Sequence, residues 1–345
     1  MKALRLHSSG KLCLHEEPVP APAEGELLLR VDAVGLCGSD RHWLLEGSIG
    51  DVGLSRPLVL GHELVASIES GPRAGERVVV DPAIPCARCV VCLAGRQHLC
   101  LELRFAGHGS TDGGLRTFMT WPERSVHRLP EPLTDAEGTL LEPLAVALHA
   151  LDLGRVGPGV SAGVFGCGPI GLLLVQLLRL VGADVILATD PRAHRLDAAA
   201  AMGATHLRDV GEALVDATLA ERLAGRAGLD VTFEAAGEDA ALESALNAVR
   251  PAGRVVLVGI PDGDRTSFTA STARRKGLTL LLCRRMEPTD LPRAIRLVES
   301  GRLEFGALVS RRYSLSEWPN AFDDLVEYRG IKVVIEPQRC KEGAT

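Results

Sequence analysis

Aromatic residues are scarce in this chain of 345 residues, at 3% of the total, so aliphatic side chains must fill its core. It also lacks an excess of positive charge. Thirty-eight Lys and Arg stand against 44 Asp and Glu, a net charge of -6, and no basic block stands out, which excludes the electrostatic footprint of a nucleic-acid-binding protein. Long apolar runs are missing as well. The greasiest stretch, Gly171 to Ala188, is interrupted by Gln176, Arg179 and Asp184, so no bilayer-spanning segment and no membrane partner is expected. The opening residues, Met1 to His7, show neither a sustained apolar segment nor a cleavage pattern, and a cytoplasmic, reducing location is expected. There is no internal repeat or low-complexity segment. What is present is an ordinary globular composition, 46% hydrophobic and 24% charged, at a length that leads one to expect two domains.

Nine cysteines occur, at Cys13, Cys37, Cys86, Cys89, Cys92, Cys100, Cys167, Cys283 and Cys340. Four fall within fifteen residues, as Cys86-x-x-Cys89-x-x-Cys92-x(7)-Cys100. In a reducing compartment this clustering points to metal before disulfides. Short loops of this spacing wrap four thiolates tetrahedrally round one Zn²⁺, and four sulfur ligands leave no open position, so the site is structural. An iron–sulfur cluster uses four cysteines too, but nothing else suggests electron transfer. Cys13, Cys167, Cys283 and Cys340 read as structural or incidental.

A second set brings together residues distant in sequence. The segments Cys37-Gly-Ser-Asp-Arg-His-Trp43 and Leu60-Gly-His-Glu63 supply a thiol, an imidazole and a carboxylate, three ligand types that zinc accepts. Three protein ligands leave a position open for substrate. Taken singly, Cys37, His62 and Glu63 also fit a buried small residue, a core histidine and a surface charge. Leu58 to Glu63 reads as one strand delivering His62. Asp40 is the candidate partner for the other ring N–H of His62, or else a cap on the turn beginning at Arg41. Glu142, before Pro143 at the start of the helical stretch Leu140 to Leu153, is either a carboxylate favoured by the helix dipole, a fourth metal ligand, or a base on zinc-bound water.

The chain opens as strands. Leu4 to His7 and Leu12 to His15 flank a Ser-Ser-Gly turn, and Glu26 to Val34 alternates apolar and polar residues. From residue 161 the pattern changes to strand, glycine turn, helix. Gly166-x-Gly168-x-x-Gly171 follows a short strand and opens a leucine-rich helix, and the next strand ends at Asp190, nineteen residues after Gly171. In that context the glycines let the backbone approach a pyrophosphate, and Asp190 accepts from the adenosine ribose; alternatively Asp190 is a helix N-cap before Pro191. Strands at His206, Asp230 to Gly237, Arg254 to Gly259 and Leu278 to Cys283, with helices at Glu212 to Leu223 and Ala240 to Val249, predict a doubly wound parallel sheet. Gly259 falls at the carboxyl end of a strand, where cofactors rest. Helices at Leu291 to Glu299 and Trp318 to Tyr328 and a strand from Ile331 to Ile335 form a tail expected to rejoin the first domain.

In this order, Cys37-Gly-Ser-Asp40, Gly61-His-Glu63, the four-cysteine loop, Glu142-Pro-Leu144 and the glycine turn at 166–171 resemble the zinc-dependent medium-chain dehydrogenases. The polyol, or sorbitol, dehydrogenase branch is the nearest, and the likeness runs over essentially the whole chain. It implies an α/β protein with a GroES-like β-rich catalytic domain at 1–149, a Rossmann domain with a doubly wound parallel six-stranded sheet at 150–285, and a return segment at 286–345 completing the first, with substrate entering between the two. It implies two zinc ions per chain: a catalytic one on Cys37, His62 and Glu63, with Glu142 contacting or replacing its water, and a structural one on Cys86, Cys89, Cys92 and Cys100. Ser39 and His42 match the proton relay. Gly166, Gly168, Pro169, Ile170, Gly171, Asp190, Arg195 and Gly259 match the cofactor site. Asp190 would repel a 2′-phosphate and favour NAD over NADP, a preference that Arg192 and Arg195 soften. Trp43, Phe105, His108 and Arg284 align with the substrate wall, although His108 also fits a plain loop histidine. A homodimer or homotetramer is implied, since relatives pair through the Rossmann sheet edge.

Some residues depart from the branch. Ala66 stands where the family often has glycine. Trp43 and Arg285 stand where the branch has tyrosine, which moves the expectation away from sorbitol itself. Arg285 either favours an acidic sugar or is solvated. The four-cysteine loop, absent from the animal sorbitol enzymes, is kept here. The expected activity is hydride transfer between a secondary alcohol (a polyol, sugar or sugar-derived substrate) and NAD. One alternative is an amino-alcohol dehydrogenase of threonine or aminocyclitol type, marked by an acidic residue facing the substrate amine. The other is a non-catalytic nucleotide-binding protein on the same fold, which would hold one zinc where the enzyme holds two.

Overall fold

The structure, a computed structural model, describes residues 1–210, 219, 222, 223 and 225–339. The expected helix from Glu212 to Leu223 and Cys340 lie largely or wholly outside the described residues. Two compact units form, Met1–Pro143 with Glu287–Thr345, and Leu144–Met286. The first boundary falls in the opening turn of the helix Leu141–Gly154, where the sequence placed it at 149.

In the first unit, strands β1 (Lys2–Ser8) and β2 (Lys11–Glu16) pair antiparallel, and Leu58–Val59 joins the other side of β1. A seven-stranded sheet is built on the long strand β3 (Glu26–Gly35). Its path runs Val126–Arg128, Arg77–Val80, Glu63–Ile68, β3, Lys332–Glu336, Val309–Ser314, with Phe118–Pro122 also on β3. The aliphatic core packs Leu4, Leu6, Leu29, Val31, Leu64, Val78 and Ile335 together, as a chain poor in aromatics requires. Lys332–Glu336 is antiparallel to β3, so the tail completes this sheet. The strand Val309–Ser314 was not legible in the sequence: it is a polar edge strand, Val-Ser-Arg-Arg-Tyr-Ser, without apolar alternation.

The second unit carries a six-stranded, wholly parallel sheet. Its order is His206–Arg208, Val185–Thr189, Ser161–Phe165, Leu229–Glu234, Val249–Leu257, Thr279–Leu282. Strand order therefore reverses beside Ser161–Phe165, and the crevice outside the carboxyl end of that strand is where such sheets bind ligands. The helix Pro169–Leu180 starts there, with Gly168 at its N-cap and Pro169 at its first position, where a missing N–H costs nothing. No helix among the described residues is long and apolar enough to cross a membrane.

Candidate active site

Helix α1 (Gly38–Glu46) begins at Cys37, whose extended backbone (φ -108°, ψ 158°) makes it the N-cap residue. Cys37 thereby projects from the end of β3 rather than from a helix face. His62 and Glu63 arrive differently from the single strand expected. Leu58–Val59 pairs with β1, while Glu63–Ile68 pairs with β3, and the chain breaks between them. Gly61 is the break: its φ is +89°, and a Cβ there would come within 2.7 Å of Val34 Cγ1. Neighbours on an unbroken strand point to opposite faces. The break lets adjacent His62 and Glu63 serve one point. With Cys37 they bring a sulfur, a ring nitrogen and a carboxylate oxygen within 4.8 Å of one another.

Asp40 does not take the part expected for it. Its Oδ2 accepts from the Cys37 N–H at 2.9 Å and its Oδ1 from the Gly61 N–H at 3.1 Å. The carboxylate ties together the two backbone segments that present the ligands. A carboxylate three residues into a helix is within reach of the N-cap amide, and that geometry outcompetes the histidine ring.

The surroundings are buried and charged. Glu63 is buried and its Oε2 accepts from Lys332 Nζ, which also donates to the Leu36 carbonyl at 3.0 Å. Burial alone would favour a neutral lysine, but Glu63 and Cys37 outweigh it and raise the Lys332 pKa. Glu142 is pushed up to about 8, by burial first, with Glu63 and Cys37 adding to it against His62. Burial, then Glu63, pushes the Cys37 thiol up to about 12. The Ser39 hydroxyl is buried close to Cys37 and completes no full hydrogen bond among the described residues. This donor set fits a divalent cation: three acidic groups converge beside one imidazole, with a single lysine to offset them, and added positive charge is what ionises them. The sequence missed Lys332, although a lone lysine inside the apolar run Ile331-Lys-Val-Val-Ile335 was the available signal.

Of the expected substrate wall, Phe105 lies beside the site, its ring centroid 5.3 Å from that of His62. His108 packs edge-on to Trp43 at 5.6 Å and to Phe105 at 6.5 Å. Trp43 is 1% exposed and belongs to the core of its unit, so it offers a substrate almost no surface. Arg284 is exposed and lies in the second unit.

The four clustered cysteines also converge. Cys100 Sγ accepts from Cys86 N–H at 3.2 Å, Cys86 Sγ from Cys89 N–H at 3.3 Å and Cys89 Sγ from Cys92 N–H at 3.5 Å. Backbone N–H bonds from Leu101 and Cys92 bring the Cys89 thiol down to about 6. The sulfurs of Cys86 and Cys92 are 4.0 Å apart. Tetrahedral sulfurs at zinc bonding distance would stand about 3.8 Å apart. The lobe therefore fits a closed zinc site.

In the second unit the glycine turn has the close contact its spacing implies: a Cβ on Gly171 would overlap the Gly166 carbonyl oxygen. Asp190 is buried, its Oδ2 accepting from Cys167 N–H and its Oδ1 from Arg192 N–H, both at 2.9 Å. It is thus a backbone clamp on the glycine turn as well as an acid at the strand end. Arg195 Nη1 lies 3.7 Å from it. Gly259 N–H donates to the Glu234 carbonyl at 3.1 Å, and the Glu234 carboxylate in turn accepts from Ala236 and Gly237.

A family model for the alcohol dehydrogenase GroES-like domain matches residues 23–131, and one for zinc-binding dehydrogenases matches residues 169–300. The chain belongs to the zinc-dependent medium-chain dehydrogenases. Among curated proteins, this zinc dehydrogenase is 32% identical over 349 residues to sorbitol dehydrogenase of Bacillus subtilis strain 168, covering 98% of each chain. Among solved structures it resembles a zinc-binding dehydrogenase of Sinorhizobium meliloti 1021 bound to NADP, at 30% identity and a TM-score of 0.86, over 97% of this chain and 99% of that one. It also resembles 2R,3R-butanediol dehydrogenase of Bacillus subtilis, at 27% identity and a TM-score of 0.85, over 98% and 99% of the two chains. The polyol dehydrogenase-like branch is the part of the family it falls in, and its activity class is oxidoreductase.

Proposed function

We propose that this dehydrogenase exchanges a hydride between a secondary alcohol of a polyol, sugar or sugar-derived substrate and NAD. The observation that carries the proposal is the convergence of half-buried Cys37 with buried His62 and Glu63 within 4.8 Å, beside buried Glu142 and Lys332. In this reading those three residues hold the catalytic zinc, Glu142 adjusts its surroundings, and Cys86, Cys89, Cys92 and Cys100 hold the structural one. When bound, zinc supplies a Lewis acid that lowers the pKa of a hydroxyl beside it, and NAD supplies the hydride acceptor.

The chain's own residues do the rest. Ser39 Oγ receives the proton of the substrate hydroxyl, and His42 passes it to solvent. Phe105 and His108 wall the substrate side, Trp43 supports His108 from the core, and Arg284 is a further contact. Gly166, Gly168, Pro169, Ile170 and Gly171 let the pyrophosphate approach the helix N-terminus. Asp190 takes the ribose hydroxyls and disfavours a 2′-phosphate. Arg195 and Gly259 complete the dinucleotide contacts. The enzyme works in the reducing cytoplasm, as a homodimer or homotetramer.

A screen of polyols, sugar acids and amino alcohols, followed by NADH absorbance, tests the reading. Turnover of a polyol or sugar substrate with a higher kcat/KM for NAD than for NADP is the expected result. Turnover of an amino alcohol alone contradicts the substrate class, and a clear NADP preference contradicts the cofactor.

A further inference from the structure

His42 lies in the middle of α1, and four residues on, at the last position of the helix, stands Glu46. Residues four apart stack on one helix face. His42 Nδ1 and Glu46 Oε1 are 2.8 Å apart. The two ends of this contact differ in access to water: the His42 side chain is 8% exposed and that of Glu46 is 33% exposed. The contact is short-range and intrahelical, so α1 itself fixes it. Gly47, with φ +70°, ends the helix directly after Glu46, and its N–H donates to the Trp43 carbonyl, which holds the last turn in place.

A carboxylate only accepts, so Nδ1 of His42 must carry the hydrogen. That choice sets the other nitrogen: in the neutral ring Nε2 has the lone pair. We infer that Glu46 is a positioning residue of the reaction, holding His42 in the Nδ1–H tautomer and stabilising its imidazolium as the substrate proton departs. The inference rests on the proposed role of His42 as proton relay and adds to it a residue that the sequence did not single out. The proton balance is simple. A proton arriving at Nε2 forms an N–H bond there and gives an imidazolium held against the Glu46 carboxylate. The proton that leaves breaks the Nε2–H bond and passes to water, so the Nδ1–H bond to Glu46 persists and the starting tautomer is restored. Glu46 itself stays ionised, as the orienting carboxylate of a histidine pair does.

The pair does not belong to the Cys37, His62 and Glu63 set. His42 is five residues from Cys37, and the Asp40 carboxylate between them in sequence is committed to the Cys37 and Gly61 amides. Nor does a surface ion pair explain it, since one partner is almost wholly buried.

The test uses the full-length, zinc-loaded protein. Glu46→Gln keeps the size of the side chain, but its amide N–H can donate to Nδ1, which favours the Nε2–H tautomer. In this variant kcat should fall about 10- to 100-fold with KM changed less than about threefold, the range seen when an orienting partner of a functional histidine is removed. Glu46→Asp keeps the carboxylate and should recover most of the loss. Histidine ¹⁵N spectra, read without substrate, should show Nδ1–H at His42 in the native chain and Nε2–H in Glu46→Gln. Wild-type turnover in Glu46→Gln, or a fall in kcat without a change of tautomer, overturns the inference. The spectra separate the two levels of the argument: if no substrate is turned over by the native protein, the proposed function fails, while the tautomer still reports on Glu46.

Discussion

Lys332 Nζ is bonded to Glu63 Oε2, and both side chains are almost fully buried. The two come from opposite ends of the sequence: Glu63 opens one strand of the seven-stranded sheet and Lys332 opens another, with β3 between them. The C-terminal segment therefore does more than complete a sheet. It delivers the only lysine beside the donor set among the described residues.

Removing that lysine leaves a buried carboxylate unpaired. Lys332→Met should cost the metal-free protein about 3–5 kcal/mol of stability, the usual penalty for breaking a buried ion pair. The cost should be smaller in zinc-loaded protein, where Glu63 has a second cation. Urea denaturation of both forms measures it. The double variant Lys332→Met with Glu63→Gln should recover a large part of the loss, and an additive pair of losses counts against the coupling.

Asp190 has a backbone duty that a sequence motif does not reveal. Its two oxygens already accept from Cys167 and Arg192, and each oxygen keeps a further lone pair for a ribose hydroxyl. Asp190→Asn keeps one accepting oxygen and loses the charge. The ratio of kcat/KM for NAD over NADP should drop about tenfold, with a stability loss of about 1–3 kcal/mol from the unpaired amide. An unchanged ratio contradicts the part given to Asp190 in cofactor choice.

Asp81 supplies a pH dependence that involves none of the proposed metal ligands. Burial pushes its pKa up to about 6, against a partial offset from the Ala83 N–H bonded to it. The unfolded chain ionises it near pH 4, so between about pH 4 and 6 the folded state holds the extra proton. Stability from this group is then present below pH 4 and lost as pH rises to 6. Asp81→Asn removes the effect while keeping an acceptor for Ala83. Relative to the native chain it should be near-neutral at pH 4 and more stable above pH 6.5, by thermal unfolding across that range. A difference that does not grow with pH contradicts the burial of an ionisable Asp81.

The fold was largely legible because it is written in periodicity: alternating strands, then strand, glycine turn and helix, with the change of pattern at residue 161. The two converging donor sets were legible because zinc restricts which residue types and spacings can serve it. The parts that were not legible depend on neighbours brought in by folding. Leu58 to Glu63 looks like one strand, and only the φ of Gly61, set by packing on Val34, shows that it is two. Asp40 carried the right chemistry for a histidine partner, but the nearer Cys37 amide claimed it. Lys332 and Glu46 act through contacts that no motif encodes, one across a sheet and one along a helix turn.

The most direct test of the central claim is the rate of NADH formation on a polyol panel by Cys37→Ser, set beside zinc per chain for both proteins. The account predicts two zinc ions per native chain, and in the variant a folded protein that keeps the four-cysteine zinc but loses turnover by about 10³-fold or more, the scale of removing a transition-state charge stabiliser. Turnover near the native rate in Cys37→Ser would contradict it.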